Sequence, residues 1–269
     1  GLETPYPRTA ASVTMEPQHQ KSVFMKMEED SDMLRIDHLT KTYGEKKAVD
    51  DLSLHIAPGE IYGFIGHNGA GKTTTLKSIA GILQFDAGDI RIGGTSIRED
   101  PLACKRMMAY IPDNPDLYEF MTGIKYLNFI ADIFGVSADD RQARIRDYAA
   151  RFELTDDLAQ PIAAYSHGMK QKLAIISAWL HQPRLILMDE PFVGLDPKAA
   201  HLLKGMMREL CDAGGAIFFS THVLEVAEKL CDKVAIIKGG KLIRSGTMED
   251  VKGDESLESV FLELEEETC

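Results

Sequence analysis

Four cysteines in 269 residues, with no Cys-x-x-Cys spacing, leave little for a disulfide framework or a thiolate zinc site. Cys104, Cys211, Cys231 and Cys269 fit a reducing cytoplasm better. No apolar run approaches the roughly 20 residues needed to span a bilayer. The longest, near Leu185 and Ala216, are of strand length. Any work at a membrane therefore requires another chain to do the crossing. Positive charge is also in short supply. The 30 Lys and Arg stand against 42 Asp and Glu, for a net charge of −12. That argues against broad, sequence-independent nucleic-acid binding, although a local basic patch is compatible with it. The amino terminus lacks a basic stretch followed by an apolar one, so no signal peptide is read. What remains is 44% hydrophobic and 27% charged, an ordinary globular composition. The length suits one large domain or two modest ones.

Gly66-His67-Asn68-Gly69-Ala70-Gly71-Lys72-Thr73-Thr74 organises the chain. It follows an apolar run, Ile61–Ile65, that reads as a buried strand. It precedes Thr75–Leu83, with apolar residues at helical spacing. Glycines between a strand and a helix let successive backbone N–H groups turn inward as an anion nest. The helix start adds unpaired N–H groups and the positive end of its dipole. Lys72 supplies a point charge for β- and γ-phosphates, and Thr73 a hydroxyl for Mg²⁺. The alternative is a chance glycine-rich turn, which the flanking strand and helix disfavour.

Residues 1–30 show no apolar periodicity and are expected to be a flexible leader. Met25, Met27 and Met33 are each candidate native starts, so an expression-derived portion is allowed for. Leu34–Asp37 and Val49–Ile56 alternate as strands, with Lys41–Gly44 read as a turn between them. Tyr43 offers a ring on which adenine could stack, or is simply a surface tyrosine. Asp89–Ile92, Gly93-Gly94 and Ile97 read as a hairpin, and Met107–Ile111 as a further strand. Ile124–Phe134 and Ala138–Phe152 show helical spacing, with Ser137 and Thr155 as expected N-caps. Residues 114–160 are read as a helical insertion.

Ser166 is expected to cap a helix running to about His181, an end that would also suit a phosphate. Leu185–Met188 is a continuous apolar run ending in Asp189-Glu190, where open α/β sheets place ligands. Asp189 is placed to hold Mg²⁺ and Glu190 to accept a proton from water. The alternative is that both acids cap the next segment. Ala216–Ser220 ends in Thr221-His222, and a lone histidine there is more often structural than catalytic. Val234–Ile237 and Leu242-Ile243 close as a hairpin. The acidic tail carries Leu257, Val260, Phe261, Leu262 and Leu264 at helical spacing, which reads as packing rather than binding.

Taken in order, these motifs resemble those of the ATP-binding cassette (ABC) ATPases, over about residues 33–250. Gly66–Thr74 is similar to Walker A, and Leu185–Glu190 to Walker B with its catalytic glutamate. Ser166–Gln171 resembles the signature motif, with His167 at a usual glycine. Gly194-Leu195-Asp196 matches the D-loop and His222 the switch histidine. Tyr43 falls where the family places its adenine-stacking aromatic. More narrowly, Ile111-Pro112-Asp113, Ser166–Lys172 and the Leu257–Leu264 tail are similar to bacterial ABC-2 exporters, including Ecs-type ATPases. Asp113 stands where the family has its Q-loop glutamine. A carboxylate cannot donate an N–H, so the glutamine's part in orienting water does not carry over.

The resemblance implies an α/β fold: a P-loop NTPase (RecA-like) core with an antiparallel β edge and the helical subdomain at 114–160. Residues 31–252 would be the ATPase domain and 253–269 a short acidic tail. It implies ATP bound by Tyr43, by Gly66, His67, Asn68, Gly69, Ala70, Gly71, Lys72, Thr73 and Thr74, and by Ser166 and Gly168 of an opposing copy. Thr73, Asp113 and Asp189 would hold Mg²⁺. Glu190, His222 and Lys72 would carry catalysis. The implied partners are a transmembrane permease subunit, probed through Leu117, Tyr118, Phe120 and Met121, and a second ATPase subunit packed head to tail. No nucleic acid is expected. The chain would sit in the cytoplasm, on the inner face of the membrane. The competing readings are a soluble ABC ATPase serving a non-transport partner and an ATP-binding module without turnover. The long coiled coils of DNA-repair members and the paired cassettes of translation factors are absent here.

Overall fold

The structure, a computed structural model, describes residues 32–266, so the leader expected over 1–30 lies outside the described residues. Ten strands are described: β1 Leu34–Tyr43, β2 Lys46–Ile56, β3 Ile61–Ile65, β4 Ala87–Ile92, β5 Thr95–Ser96, β6 Met108–Ile111, β7 Leu185–Asp189, β8 Ala216–Thr221, β9 Lys233–Lys238 and β10 Lys241–Thr247. They form two sheets, ordered β2-β1-β4-β5 and β10-β9-β3-β8-β7-β6. In the second, β9, β3, β8, β7 and β6 run parallel, and β10 pairs antiparallel with β9. The expected antiparallel edge is thus a complete sheet of its own, together with the β10 margin.

The parallel strands read as unbroken apolar runs because both of their faces are covered. Side chains alternate across a strand. Ile61 and Ile65 of β3, with Ile217 and Phe219 of β8, face one core, which continues into the helical region. Tyr62 and Phe64, with Phe218, face a second core shared with the antiparallel sheet. The rings of Phe64 and Phe218 meet there at 5.1 Å. The helix Lys72–Ile79 is wedged into this second core through Leu76 and Ile79. The glycine loop is thus seated between a fully buried strand and a helix whose Leu76 and Ile79 are buried.

The helices Gly123–Ile133 and Ala138–Arg151 form where expected, and Ser137 Oγ accepts from Asp140 N at 3.2 Å. Thr155 is not a cap. It begins a single 3₁₀ turn, Thr155–Asp157, whose preceding residue Leu154 makes no side-chain cap bond. The helix Pro101–Met107 was not expected, because seven residues are too few to show a period. Its signals were local: Asp100 accepts from Ala103 N at 3.0 Å, and Pro101 fills the first turn. The turn expected at Lys41–Gly44 lies slightly later, since β1 runs through Tyr43. In the closing helix Leu257–Glu266, Leu257, Val260 and Phe261 are buried, whereas Leu262 is exposed. Cys104, Cys211 and Cys231 are buried free thiols, and burial pushes their pKa values up, as for inert core cysteines.

Candidate functional site

The site forms where the carboxyl ends of β3, β7 and β8 share an edge. Ile65 pairs with Thr221, and Asp189 with Ser220. The chain leaves β3 into the glycine loop and enters the helix Lys72–Ile79 at Gly71, whose φ is +107°. No side chain caps this helix start, so its N–H groups stay directed at the loop. Gly71 must be glycine twice over: its φ is left-handed, and a Cβ would lie 2.4 Å from the Ala48 carbonyl. Lys72 Nζ folds back over the loop to the Gly66 carbonyl, and lies 3.3 Å from Glu190 Oε1.

Asp189 ends β7 with its carboxylate fully engaged. It accepts from Thr73 Oγ1 at 2.6 Å and from the Ser220 hydroxyl. Glu190 follows with a φ of +48°, an uncommon conformation for a residue with a Cβ. Its N–H bonds Ser220 Oγ at 3.1 Å. This bend turns the Glu190 carboxylate from the sheet edge into the cleft. There, Oε1 lies 2.9 Å from His222 Nδ1 as well as 3.3 Å from Lys72. The Lys72 and Glu190 side chains are 6% and 11% exposed. Two opposite charges so deep are tolerable only as a pair, so each holds the other in place.

A cleft of about 640 Å³ opens above these groups. It is lined by Asn68, Gly69, Gly71, Lys72, Thr73 and Thr74 of the loop, by Asp189, Glu190 and Asp113, and by Tyr43 at its mouth. Tyr43 is half exposed, with Lys41 Nζ 5.0 Å from its ring centre. His222 reaches the cleft through Glu190. Gly66 and Ala70 of the loop are buried and do not line the cleft. His67 points away: its Nε2 pairs with Glu265 Oε2 at 3.1 Å, and its ring meets Phe261 at 5.0 Å. Ser166 and Gly168 do not line this cleft. Ser166 caps the helix His167–Trp179 through Met169 N at 3.2 Å. That helix is tied to the segment after Glu190, where Gln171 Nε2 donates to the Pro191 carbonyl at 2.9 Å. Sequence reasoning missed Ser220, Tyr110, Lys46 and Lys77, which line or brace the cleft. Ser220 had a signal, a hydroxyl at the end of an apolar strand.

The chain matches the pattern of the family described as ABC transporter over residues 49–193, more than half its length. It belongs to the ABC transporter family. It is 35% identical over 240 residues to the ABC-type transporter ATP-binding protein EcsA of Bacillus subtilis (strain 168), covering 87% of this chain and 97% of that protein. It is 37% identical to the Nod factor export ATP-binding protein I of Paraburkholderia xenovorans (strain LB400), over 79% of this chain and 70% of that one. A solved structure of an ATP-binding subunit of an ABC transporter superposes with a TM-score of 0.84 at 36% identity, covering 87% of this chain and 99% of the other. The chain that carries this cleft is therefore an ABC-class P-loop ATPase.

The donor set of this ABC cleft fits Mg²⁺, which keeps waters and takes one or two protein oxygens beside substrate phosphates. Thr73 and Asp189 present two hard oxygens already within 2.6 Å of each other. Among the described residues no three His, Cys, Asp or Glu side chains close on one metal position, so the phosphates would complete the shell. Bound there, the ion would offset phosphate charge. Asp113 faces the same acids. Burial first, then the charges of Asp189 and Glu190, raise its pKa above the usual carboxylate range. A cation would relieve that repulsion. Asp113→Ala is expected to raise the Mg²⁺ concentration for half-maximal ATPase activity by about 2- to 5-fold, the worth of one weak charge contact. An unchanged Mg²⁺ titration would make Asp113 a bystander.

Proposed function

We propose that this chain binds and hydrolyses ATP as one half of a head-to-tail pair, and that the pair drives a membrane-spanning export subunit from the cytoplasmic side. The observation that carries the pairing is the one-sidedness of the cleft. Lys72, Thr73, Asp189, Glu190 and His222 converge, while Ser166 and Gly168 lie outside it. Ser166 is exposed at the start of a 13-residue helix. A second copy, turned around, would bring such an end to the open face of the cleft and close it over the phosphates.

Phosphoryl transfer needs positioning and charge stabilisation more than covalent chemistry. Lys72 would leave Glu190 for the incoming β- and γ-phosphates, keeping its charge compensated. Glu190, freed of that partner but still beside His222, would then take a proton from the attacking water. Ser220 holds both acids from beneath through Asp189 and the Glu190 N–H.

One feature supports a membrane partner. The stretch before the helix Gly123–Ile133 exposes aromatic surface. Leu117 is buried, and Met121 packs on the core, so those two fold back. Tyr118 is 47% exposed and Phe120 83%, with rings 5.8 Å apart. Nearby, an apolar groove of about 370 Å³ runs between Ala80, Tyr110, Tyr126, Ile130 and Phe134. The export direction rests on the relative named for Nod factor export. Replacing Tyr118 and Phe120 together with Ser is expected to leave ATP affinity unchanged. It should cut recovery of the chain with detergent-solubilised membrane partner by ~10-fold or more, as for two interface hot spots. Wild-type recovery would place the docking surface elsewhere.

A further inference from the structure

Three buried polar side-chain atoms lack a hydrogen-bond partner among the described residues: the Tyr110 hydroxyl, Gln171 Oε1 and His181 Nδ1. Only Tyr110 lines the ATP cleft. The residue sits on β6, two positions before Pro112, with its ring against the core that holds the helix Lys72–Ile79. The residue also lines the apolar groove beside the cleft. Its hydroxyl faces the charges of Asp189 and Asp113, and burial together with those charges pushes its pKa up. A phenol hydroxyl left unpaired there is available as a donor. The neighbouring wall is made of Asp113, Asp189 and Glu190, which accept but do not donate when ionised. An unpaired buried hydroxyl is costly beside Asp189 and Glu190, whose carboxylates Thr73, Ser220, Lys72 and His222 already engage. It becomes favourable once an acceptor arrives in the cleft.

We propose that Tyr110 is a substrate-positioning residue whose hydroxyl donates to the terminal phosphate of bound ATP, supplying on this wall the donor that Asp113 cannot. The inference rests on the reading of the cleft as an ATP site. A terminal-phosphate contact is absent with ADP, so the two nucleotides separate it from a general effect of the ring. Tyr110→Phe removes one oxygen and keeps the packing.

Titration calorimetry with a non-hydrolysable ATP analogue and with ADP, both with Mg²⁺, tests it alongside the melting temperature of the free protein. The expected result has three parts. Affinity for the ATP analogue falls about 10-fold, the usual loss for a hydrogen bond to a charged group. ADP affinity stays within about 2-fold, inside the scatter for an untouched contact. The free protein melts no lower than wild type, because the variant removes an unsatisfied group. Unchanged affinity for the analogue would overturn the proposal. So would an equal loss for both nucleotides, or a lower melting temperature of the free protein, which would make the hydroxyl a partner in the fold. If the wild type itself binds neither nucleotide, the reading of the cleft falls, and this inference with it. If the wild type binds both and only Tyr110→Phe fails to discriminate, this inference alone falls.

Discussion

Lys72→Ala should reduce phosphate release to background and weaken ATP binding by roughly 10- to 100-fold, the worth of a lost hydrogen-bonded contact to a charged group. Two effects act together. The variant removes the cation nearest the glycine loop, where a triphosphate brings its densest charge. It also strips Glu190 of its lysine partner, 3.3 Å away, and leaves His222 alone beside a carboxylate that is largely buried. Phosphate release and fluorescent-nucleotide binding, with circular dichroism to verify folding, make the check. Wild-type turnover from a folded Lys72→Ala protein would remove the loop from the mechanism.

Glu190→Gln separates binding from chemistry. The amide is the same size, keeps an oxygen for Lys72 and tolerates the same left-handed backbone, so the site should hold its shape. What it loses is basicity. Turnover is expected to fall by about 10²–10⁴-fold, the range for a missing general base, with ATP affinity retained. Steady-state phosphate release beside equilibrium binding reads both quantities. A variant within a few-fold of wild-type turnover would show that another group takes the proton.

The features that were legible in the sequence were the local ones. A glycine loop announces itself because its glycines, lysine and threonine are adjacent and sit between an apolar run and a helical period. Asp189-Glu190 was legible because two acids ending a buried strand are costly without a task. Ser137 and Ser166 were legible as caps because a cap is a three-residue event. Thr155 carried the same composition, but the chain there makes only one 3₁₀ turn, and nothing local distinguishes that from a helix start. Ser220 supports both acids only because β8 lies beside β7 in a particular register, a relation across 31 residues that periodicity does not encode. His67 sits within the most recognisable motif of the chain, yet its side chain is drawn off by Glu265, almost 200 residues later. The antiparallel strands were seen singly. That they close into a sheet of their own depends on β1 pairing with both β2 and β4.

In the proposed pair this cleft is half of a site, completed by the exposed helix start at Ser166 of a second copy. Sedimentation velocity of Glu190→Gln at high protein concentration, with and without Mg²⁺-ATP, tests it most directly. Blocked hydrolysis should trap the closed pair. The expected result is a monomer without nucleotide and a dimer with it. A protein that stays monomeric with Mg²⁺-ATP bound at saturation would contradict it.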